Sequence, residues 1–272
     1  MNFRYYTVET LARLLKRFYA SRKKHPMIGT IGDHISMRIL LDGVYEKNQL
    51  EFIRSVCLKN GLRRTFLDIG ANIGNHTIDL ADLFQHVIAI EASEFTSNIL
   101  QLNLRLNSVK NVVVHNIAAG EITSKGYMSL VQGDNLGSNK LLSNPVNAKT
   151  TEVVNVVSLD TLLSDLRDLD FVKIDIEGFE ANALKGMKII LKENSPIIAF
   201  ESNSLDESRA ILDVLNSYGY EYYYYLNKGF ERFPKALKYL FRLFYHWNWE
   251  RLPKQSSQVS DLIVASKIKL SL

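Results

Sequence analysis

The chain has a single cysteine, Cys57, in 272 residues, so no disulfide can form within it, and a reducing compartment such as the cytoplasm is the expectation. No apolar run approaches the roughly 20 residues that cross a bilayer, and the first residues lack the unbroken apolar stretch of a secretory signal. Internal repeats and low-complexity tracts are lacking too. The histidines (His25, His34, His76, His86, His115 and His246) show no metal-ligand spacing; only His76 falls at a turn from which it could approach a substrate. A uniform basic charge is also missing. The net charge of +4 divides into +6 over residues 1–27 (seven Lys/Arg against one acid), +5 over 228–254 (seven against two) and −7 over the rest. An acidic body with two basic peripheral segments does not read as a nucleic-acid binder.

What is present is an ordinary globular composition, 46% hydrophobic and 23% charged, with room for one large α/β domain. Apolar strand patterns alternate with helical ones. Strands are expected at about 65–69, 86–91, 112–116, 171–175, 197–201, 220–226 and 262–265, with two further extended pieces near 126–131 and 152–157. Helices are expected at about 47–60, 74–84, 94–107, 179–192 and 206–217. The helix over 94–107 should present Phe95, Ile99, Leu102 and Leu106 on one face, and Ser158-Leu159-Asp160 should open a short helix. This alternation predicts a mostly parallel sheet covered on both faces. Residues 1–42 read as a basic helical extension with a helix over 7–20. Residues 43–272 read as the main domain, with an insertion at about 227–260 that carries a helix over 235–249. The polar, turn-rich 132–151 reads as a surface loop over the active face.

Phe66-Leu67-Asp68-Ile69-Gly70-Ala71-Asn72-Ile73-Gly74-Asn75 is a buried strand entering a glycine turn and a helix. Val87-Ile88-Ala89-Ile90-Glu91 is a second strand tipped by an acid. Together they make half of a nucleotide-binding α/β unit. The turn is Asp-x-Gly-x-x-x-Gly, with Asn72 where a dinucleotide site has its second glycine, and Asp68 would repel a pyrophosphate. The pattern therefore favours S-adenosylmethionine over NAD(P). Gly70 allows the sharp turn and Gly74 a close helix approach. Backbone N–H groups at the helix start would favour a ligand carboxylate, Asp68 would accept from its ammonium, and Glu91 would accept from both ribose hydroxyls.

A third stretch, Lys173-Ile174-Asp175-Ile176-Glu177-Gly178, ends a strand at the sheet's switch point. Strand alternation places Lys173, Asp175 and Glu177 on one side, where carboxylates can orient an acceptor or take its proton. Lys173 with a neighbouring acid can also be a purely structural pair. Glu201 ends the next strand at the same cleft edge. A metal held by Asp175, Glu177 and Glu201 is conceivable, but none is expected.

These segments resemble the FkbM family of methyltransferases. The likeness runs from Tyr45-Glu46 through Leu67–Gly74, Glu91-Ala92, Asn103, Asn107, Ser158-Leu159-Asp160, Val172–Glu180 and Leu184-Lys185-Gly186 to Pro196–Glu201. His76 stands where the family often has an aromatic residue, and 1–42 and 227–260 lie outside the likeness. The resemblance implies a class I, Rossmann-like fold of seven strands in the order 3-2-1-4-5-7-6 with the last antiparallel. It also implies S-adenosylmethionine as cofactor and O-methylation, commonly of sugar or polyketide hydroxyls. The expected site has Asp68, Gly70, Ala71, Asn72 and Gly74 around the methionine part, with Glu46, Asn75 and Asp175 near its amino-acid end. Glu91 and Ala92 sit at the ribose, and Ala118 and Ala119 line the adenine. The catalytic candidates are Asp175, Glu177 and Glu201.

Two features carry double readings. Six tyrosines over 218–225 suit a half-buried strand better than an acceptor-stacking surface. The basic amphipathic segments 7–24 and 235–249 suit packing on the domain or a second subunit, or a peripheral contact with an anionic membrane. The functional readings are therefore a methyltransferase on a small-molecule or glycan hydroxyl, one on a lipid-linked acceptor, and a non-catalytic cofactor-binding module.

Overall fold

The computed structural model describes residues 25–30, 33–129, 140–142, 151–227, 248–252 and 260–272. The expected helix over 7–20 lies outside the described residues. So does the expected helix over 235–249, except for its last two residues, which are strand. In chain order the described strands are β1 (Thr65–Ile69), β2 (His86–Ile90), β3 (Val112–His115), β4 (Ala118–Ala119), β5 (Ser124–Ser129), β6 (Lys140–Leu142), β7 (Thr151–Val157), β8 (Leu169–Ile174), β9 (Ile197–Ser202), β10 (Tyr222–Asn227), β11 (Asn248–Leu252) and β12 (Ser260–Ser266).

The larger sheet runs β11-β10-β12-β9-β8-β1-β2-β3. β3, β2, β1, β8 and β9 are parallel, and β12 lies antiparallel between β9 and β10. The seven expected strands thus keep the order 3-2-1-4-5-7-6, but the count is eight. β11, from the 227–260 insertion, pairs antiparallel with β10 from Tyr223↔Leu252 to Asn227↔Asn248. An edge strand with open N–H and C=O groups invites such cover. The smaller sheet, β4-β7-β5-β6, arises from the extended pieces expected near 126 and 152.

β1 and β8 are buried along their whole length, as central parallel strands are. Period-two alternation sends Leu67, Ile69, Val172, Ile174 and Phe200 to one core and Phe66, Val87, Phe171 and Ala199 to the other. The strand tyrosines join these cores. Tyr220 donates to the Pro196 carbonyl at 2.9 Å, and Tyr223 donates to Asn216 Oδ1 at 2.9 Å.

Three expectations need correction. The 94–106 helix does not bury Phe95, Leu102 and Leu106, which are exposed. It buries the face of Ile99, Leu100, Asn103 and Leu104. Asn103 can lie there because its amide accepts from Ile28 N and donates to the carbonyls of Ile28 and Ile73. The helix expected over 179–192 is broken into 180–185 and 188–194. At the break, a Cβ on Gly186 would overlap the Gly120 carbonyl. Asp160 accepts there from Ile189 N and Ile190 N at 3.0 and 2.9 Å. The domain boundary at residue 42 does not coincide with a break in packing. A helix over His34–Asp42, capped by Asp33 and closed by Gly43 at φ 86°, buries Ile39 against Ile73 and Ile99. Among the described residues, no helix is long and apolar enough to cross a membrane.

Candidate active site

The carboxyl ends of β1, β2, β8 and β9 open into one cleft of about 1000 Å³, counted out to its mouth. From β2 outward its wall carries Glu91, Gly70 and Asn72, then Asp175 and Glu177, then Glu201. Strands lie about 4.8 Å apart, so Glu91 and Glu201, three strands apart, bracket a span of about 14 Å.

The β2 end is mostly apolar. Ile117, Ala118, Ala119, Met128, Leu141 and Phe179 line it around Glu91 and Ala92. Glu91 accepts from Asn72 N and Ser93 N, each at 2.9 Å, one through each carboxylate oxygen. A carboxylate has about four lone-pair sites, so capacity remains on the cleft side. Burial pushes the Glu91 carboxyl up to about 7 against the pull of these two N–H donors.

The glycine turn itself is self-satisfied. Gly70 N and Ala71 N donate to the Ile90 carbonyl, Ile73 N donates to Asn72 Oδ1, and Gly74 N donates to the Ala71 carbonyl. The N–H groups of the turn from Gly70 to Gly74 are thus already paired within the fold. Gly70, at φ 84°, admits no side chain because a Cβ would overlap the Asp175 carbonyl. Ala71, Gly74 and Asn75 are not in the cleft wall. Ala71 packs with Ile78 and Leu100. Gly74, at φ 96°, would bring a Cβ to 2.5 Å from Leu100 Cδ1. Asn75 accepts from Tyr45 N and donates to the Tyr45 carbonyl, both at 3.0 Å, and so fastens residues 45–46 over the turn. Its amide is a clamp where a ligand contact was expected.

Asp68 also differs from expectation. It is wholly buried below the turn, directly opposite Lys173 in the β1–β8 register, and accepts from Thr77 Oγ1 at 2.6 Å. It is not in the cleft wall, its charge acts on Lys173, and its Oδ1 has no hydrogen-bond partner. Lys173, 2% exposed, donates to Asp175 Oδ2 at 3.0 Å. Burial alone would lower its pKa, but the charges of Asp175, Asp68, Glu201 and Glu46 together raise it above the usual lysine range. The pair of Lys173 with a neighbouring acid is thus present, and the acid is Asp175. It holds Asp175 at the cleft with one oxygen engaged.

Glu177 and Gly178 follow β8 in the left-handed region, at φ 54° and 98°. Glu180 braces them by accepting from Ile176 N and Gly178 N. Among the described residues, three of the five non-glycine residues with positive φ, namely Glu46, Asn72 and Glu177, line the cleft. Such strain persists where surrounding structure imposes it and gathers at functional sites.

At the far end stand Tyr45, Glu46 and Glu201. Gln49 donates to Glu201 Oε1 at 3.3 Å. Burial first, then the charges of Asp175 and Glu46, push the Glu201 carboxyl up to about 9. Burial likewise pushes Glu46 up to about 7, while Lys173 pulls it down. His76 is buried outside the cleft wall, its Nε2 3.6 Å from Glu46 Oε2, and burial holds it neutral. Among the described residues, no three His, Cys, Asp or Glu side chains gather in a metal-holding group.

Sequence reasoning missed Gln49, although it lies one helical turn beyond Glu46. It also missed Met128 and Leu141, which the smaller sheet contributes and which no local motif marks. Conversely, Ser158, Asp160 and Gly186 of the family likeness serve the fold: Ser158 Oγ and Asp160 N both donate to the Gly186 carbonyl.

The sequence model of the methyltransferase FkbM domain matches residues 68–222. Among solved structures, the chain is similar to an FkbM methyltransferase from Methylobacillus flagellatus KT, at 22% identity and a TM-score of 0.44, covering 76% of this chain and 53% of that one. It is also similar to a precorrin-6y C5,15-methyltransferase from Geobacter metallireducens GS-15 (16% identity, TM-score 0.43, covering 79% and 85%). A third is an O-methyltransferase from Bacillus cereus solved with S-adenosylhomocysteine (12% identity, TM-score 0.44, covering 96% and 90%). The chain spans about half the length of the Methylobacillus protein. No curated protein matches it. With the family's sequence model matched over more than half of its length, across the turn, Glu91, Asp175 and Glu201, this chain belongs to the FkbM-domain methyltransferase family.

Proposed function

We propose that the protein is an S-adenosylmethionine-dependent O-methyltransferase acting on a hydroxyl of a sugar, glycan or other natural-product acceptor. One observation carries the cofactor reading. An apolar slot beside Glu91 leads along the strand ends into a region lined by carboxylates, with no lysine or arginine lining the cleft among the described residues. The slot suits a flat base, the spare lone pairs of Glu91 suit a ribose diol, and the acidic middle suits a ligand bearing ammonium and sulfonium charge. A dinucleotide would bring its pyrophosphate against Glu91, Asp175 and Glu177.

When bound, S-adenosylmethionine supplies a methyl group on a sulfonium, so that the acceptor's O–C bond forms as the S–C bond breaks and S-adenosylhomocysteine is left. The protein's own part is alignment and proton removal. Lys173 fixes Asp175 at the transfer point, where its open oxygen orients the acceptor hydroxyl. Glu201, one strand further on, takes the proton in its ionised form, because Asp175 already accepts from Lys173; with its carboxyl pushed up to about 9, that form gains as pH rises above neutral. Glu177 flanks the same space.

Calorimetry with S-adenosylmethionine and S-adenosylhomocysteine tests the cofactor reading: both are expected to bind, and binding by neither sinks it. Transfer of labelled methyl to a panel of hydroxyl acceptors then tests the reaction, and binding without any transfer favours the non-catalytic module. Sedimentation with anionic vesicles tests the lipid-linked acceptor, for which only the basic character of 7–24 and 235–249 speaks.

A further inference from the structure

Glu201 lines the cleft from the end of β9, and one side chain reaches it from outside the cleft wall. Gln49, on the helix over Lys47–Lys59, donates from Nε2 to Glu201 Oε1 at 3.3 Å. Gln49 is 6% exposed, and its own Oε1 is buried with no hydrogen-bond partner. The helix otherwise buries Leu50, Phe52, Ile53, Val56 and Cys57. Buried polar groups are normally satisfied. As a piece of this core Gln49 is therefore a poor choice, because a leucine or methionine would cover the same surface without an open carbonyl. What an apolar side chain could not do is donate to Glu201.

Gln49 also ends a short run of fixed contacts. Asn75, just after the glycine turn, fastens the Tyr45 backbone through two hydrogen bonds of 3.0 Å. Glu46 follows at φ 53° as the N-cap of the helix that carries Gln49. The turn and the end of β9 are thus joined through residues 45–49. Among the described residues, Asp175 and Lys173 act on Glu201 from β8, and Tyr45 and Glu46 from the segment before the helix. Burial first, then Asp175 and Glu46, push the Glu201 carboxyl up, and Lys173 and Gln49 oppose them. An N–H aimed at a carboxyl favours its ionised form, which is the form that takes a proton. We infer that Gln49 is a positioning residue for methyl transfer: its amide holds the Glu201 carboxylate in register with the glycine turn and ready for the acceptor's proton. The inference rests on the methyltransferase reading above and adds to it a residue outside the cleft wall.

Gln49→Met keeps the length of the side chain and removes both N–H donors. Full-length protein with isotope-labelled glutamate carboxyls is titrated by NMR, the Glu201 signal being the one missing in E201Q. In Q49M the Glu201 midpoint is expected to rise by about one pH unit, the contribution of a hydrogen bond to a charged group. With an acceptor that the protein methylates, kcat at neutral pH should fall about tenfold in Q49M and recover as pH rises, with S-adenosylhomocysteine affinity unchanged. In the wild-type protein the Gln49 side-chain N–H signals should move at the Glu201 midpoint, and that step should vanish in E201Q. This last measurement decides the matter should Q49M fail to fold. The inference is overturned if the Q49M midpoint is unchanged or lower, or if the Gln49 amide does not follow Glu201. It is equally overturned if kcat is unaffected, or falls by the same factor at every pH as a merely structural loss would. The titration needs neither cofactor nor acceptor, so its failure is told apart from failure of the methyltransferase reading, which shows as no binding of S-adenosylhomocysteine.

Discussion

Replacing Lys173 with methionine keeps the length of the side chain and removes the charge at the centre of the site. Lys173 is opposite Asp68 in the sheet and 3.0 Å from Asp175, with its side chain 3% exposed. Taking one partner from a buried ion pair costs about 3–5 kcal/mol, because the other charge is left uncompensated. For 272 residues at about 2.1 cal/mol/K each, the unfolding entropy is about 0.6 kcal/mol/K, so the loss corresponds to a Tm lower by about 5–9 °C. Scanning calorimetry at pH 8 and at pH 5.5 reads it. Without the ammonium, the folded pKa of Asp68, already raised by burial and held down by Lys173, moves further above its unfolded value. The native state then holds protons that the unfolded state releases, and stability falls as pH rises. The deficit should therefore be larger at pH 8 than at pH 5.5, and Asp68→Asn in the same chain should recover part of it. A Tm change under about 2 °C at pH 8 would show that Lys173 is not the charge on which the cluster depends. An equal deficit at both pH values would refute the linkage.

Other expectations follow from the same geometry. Glu91→Ala removes a buried charged acceptor and should weaken S-adenosylhomocysteine binding by about tenfold or more, since such a bond contributes about 1.5–3 kcal/mol; unchanged affinity in calorimetry would make Glu91 a mere strand end. The ligand-free protein should lose stability between about pH 7 and pH 9, because Glu201, near 9, binds a proton in the native state that the unfolded chain has released; Glu46 and Glu91, near 7, contribute their loss mainly below that window. His76, held neutral by burial, acts in the opposite sense only below its ordinary value, outside that window. Urea midpoints that stay flat or rise over that window would contradict this. Gly70→Ala should destabilise far more than Gly61→Ala. Both have positive φ, which costs an alanine about 1–2 kcal/mol, but only at Gly70 does the new Cβ strike backbone. Equal Tm losses would count against the close approach. Asn75→Ala removes two hydrogen bonds to the Tyr45 backbone, at about 1 kcal/mol each, and should release Tyr45–Glu46 from the turn. Faster amide exchange at residues 45–47 is the readout.

The strand order came only from the family likeness, but the sequence by itself determined the fold class and the strand-end positions of Glu91, Asp175 and Glu201. Those features are local: a buried strand, a glycine at its end and an acid beside it are written in consecutive residues. Partnership was not legible. Asp68 and Asn75 look like ligand contacts in the turn motif, but register puts Asp68 against Lys173, and Asn75 meets the backbone of a residue 30 positions earlier. The 94–106 helix misled because its most apolar stripe, Phe95, Leu102 and Leu106, faces out. Asn103 is buried instead, which only the carbonyls of Ile28 and Ile73 make tolerable. The tertiary structure also closed the N–H groups of the glycine turn, broke the 180–194 helix where Gly186 meets Gly120, and brought Gln49 to Glu201 across 152 positions. Strand and turn are set by a few neighbouring residues. Which buried polar atom finds a partner, and which is left open for a ligand, depends on segments far apart in the chain.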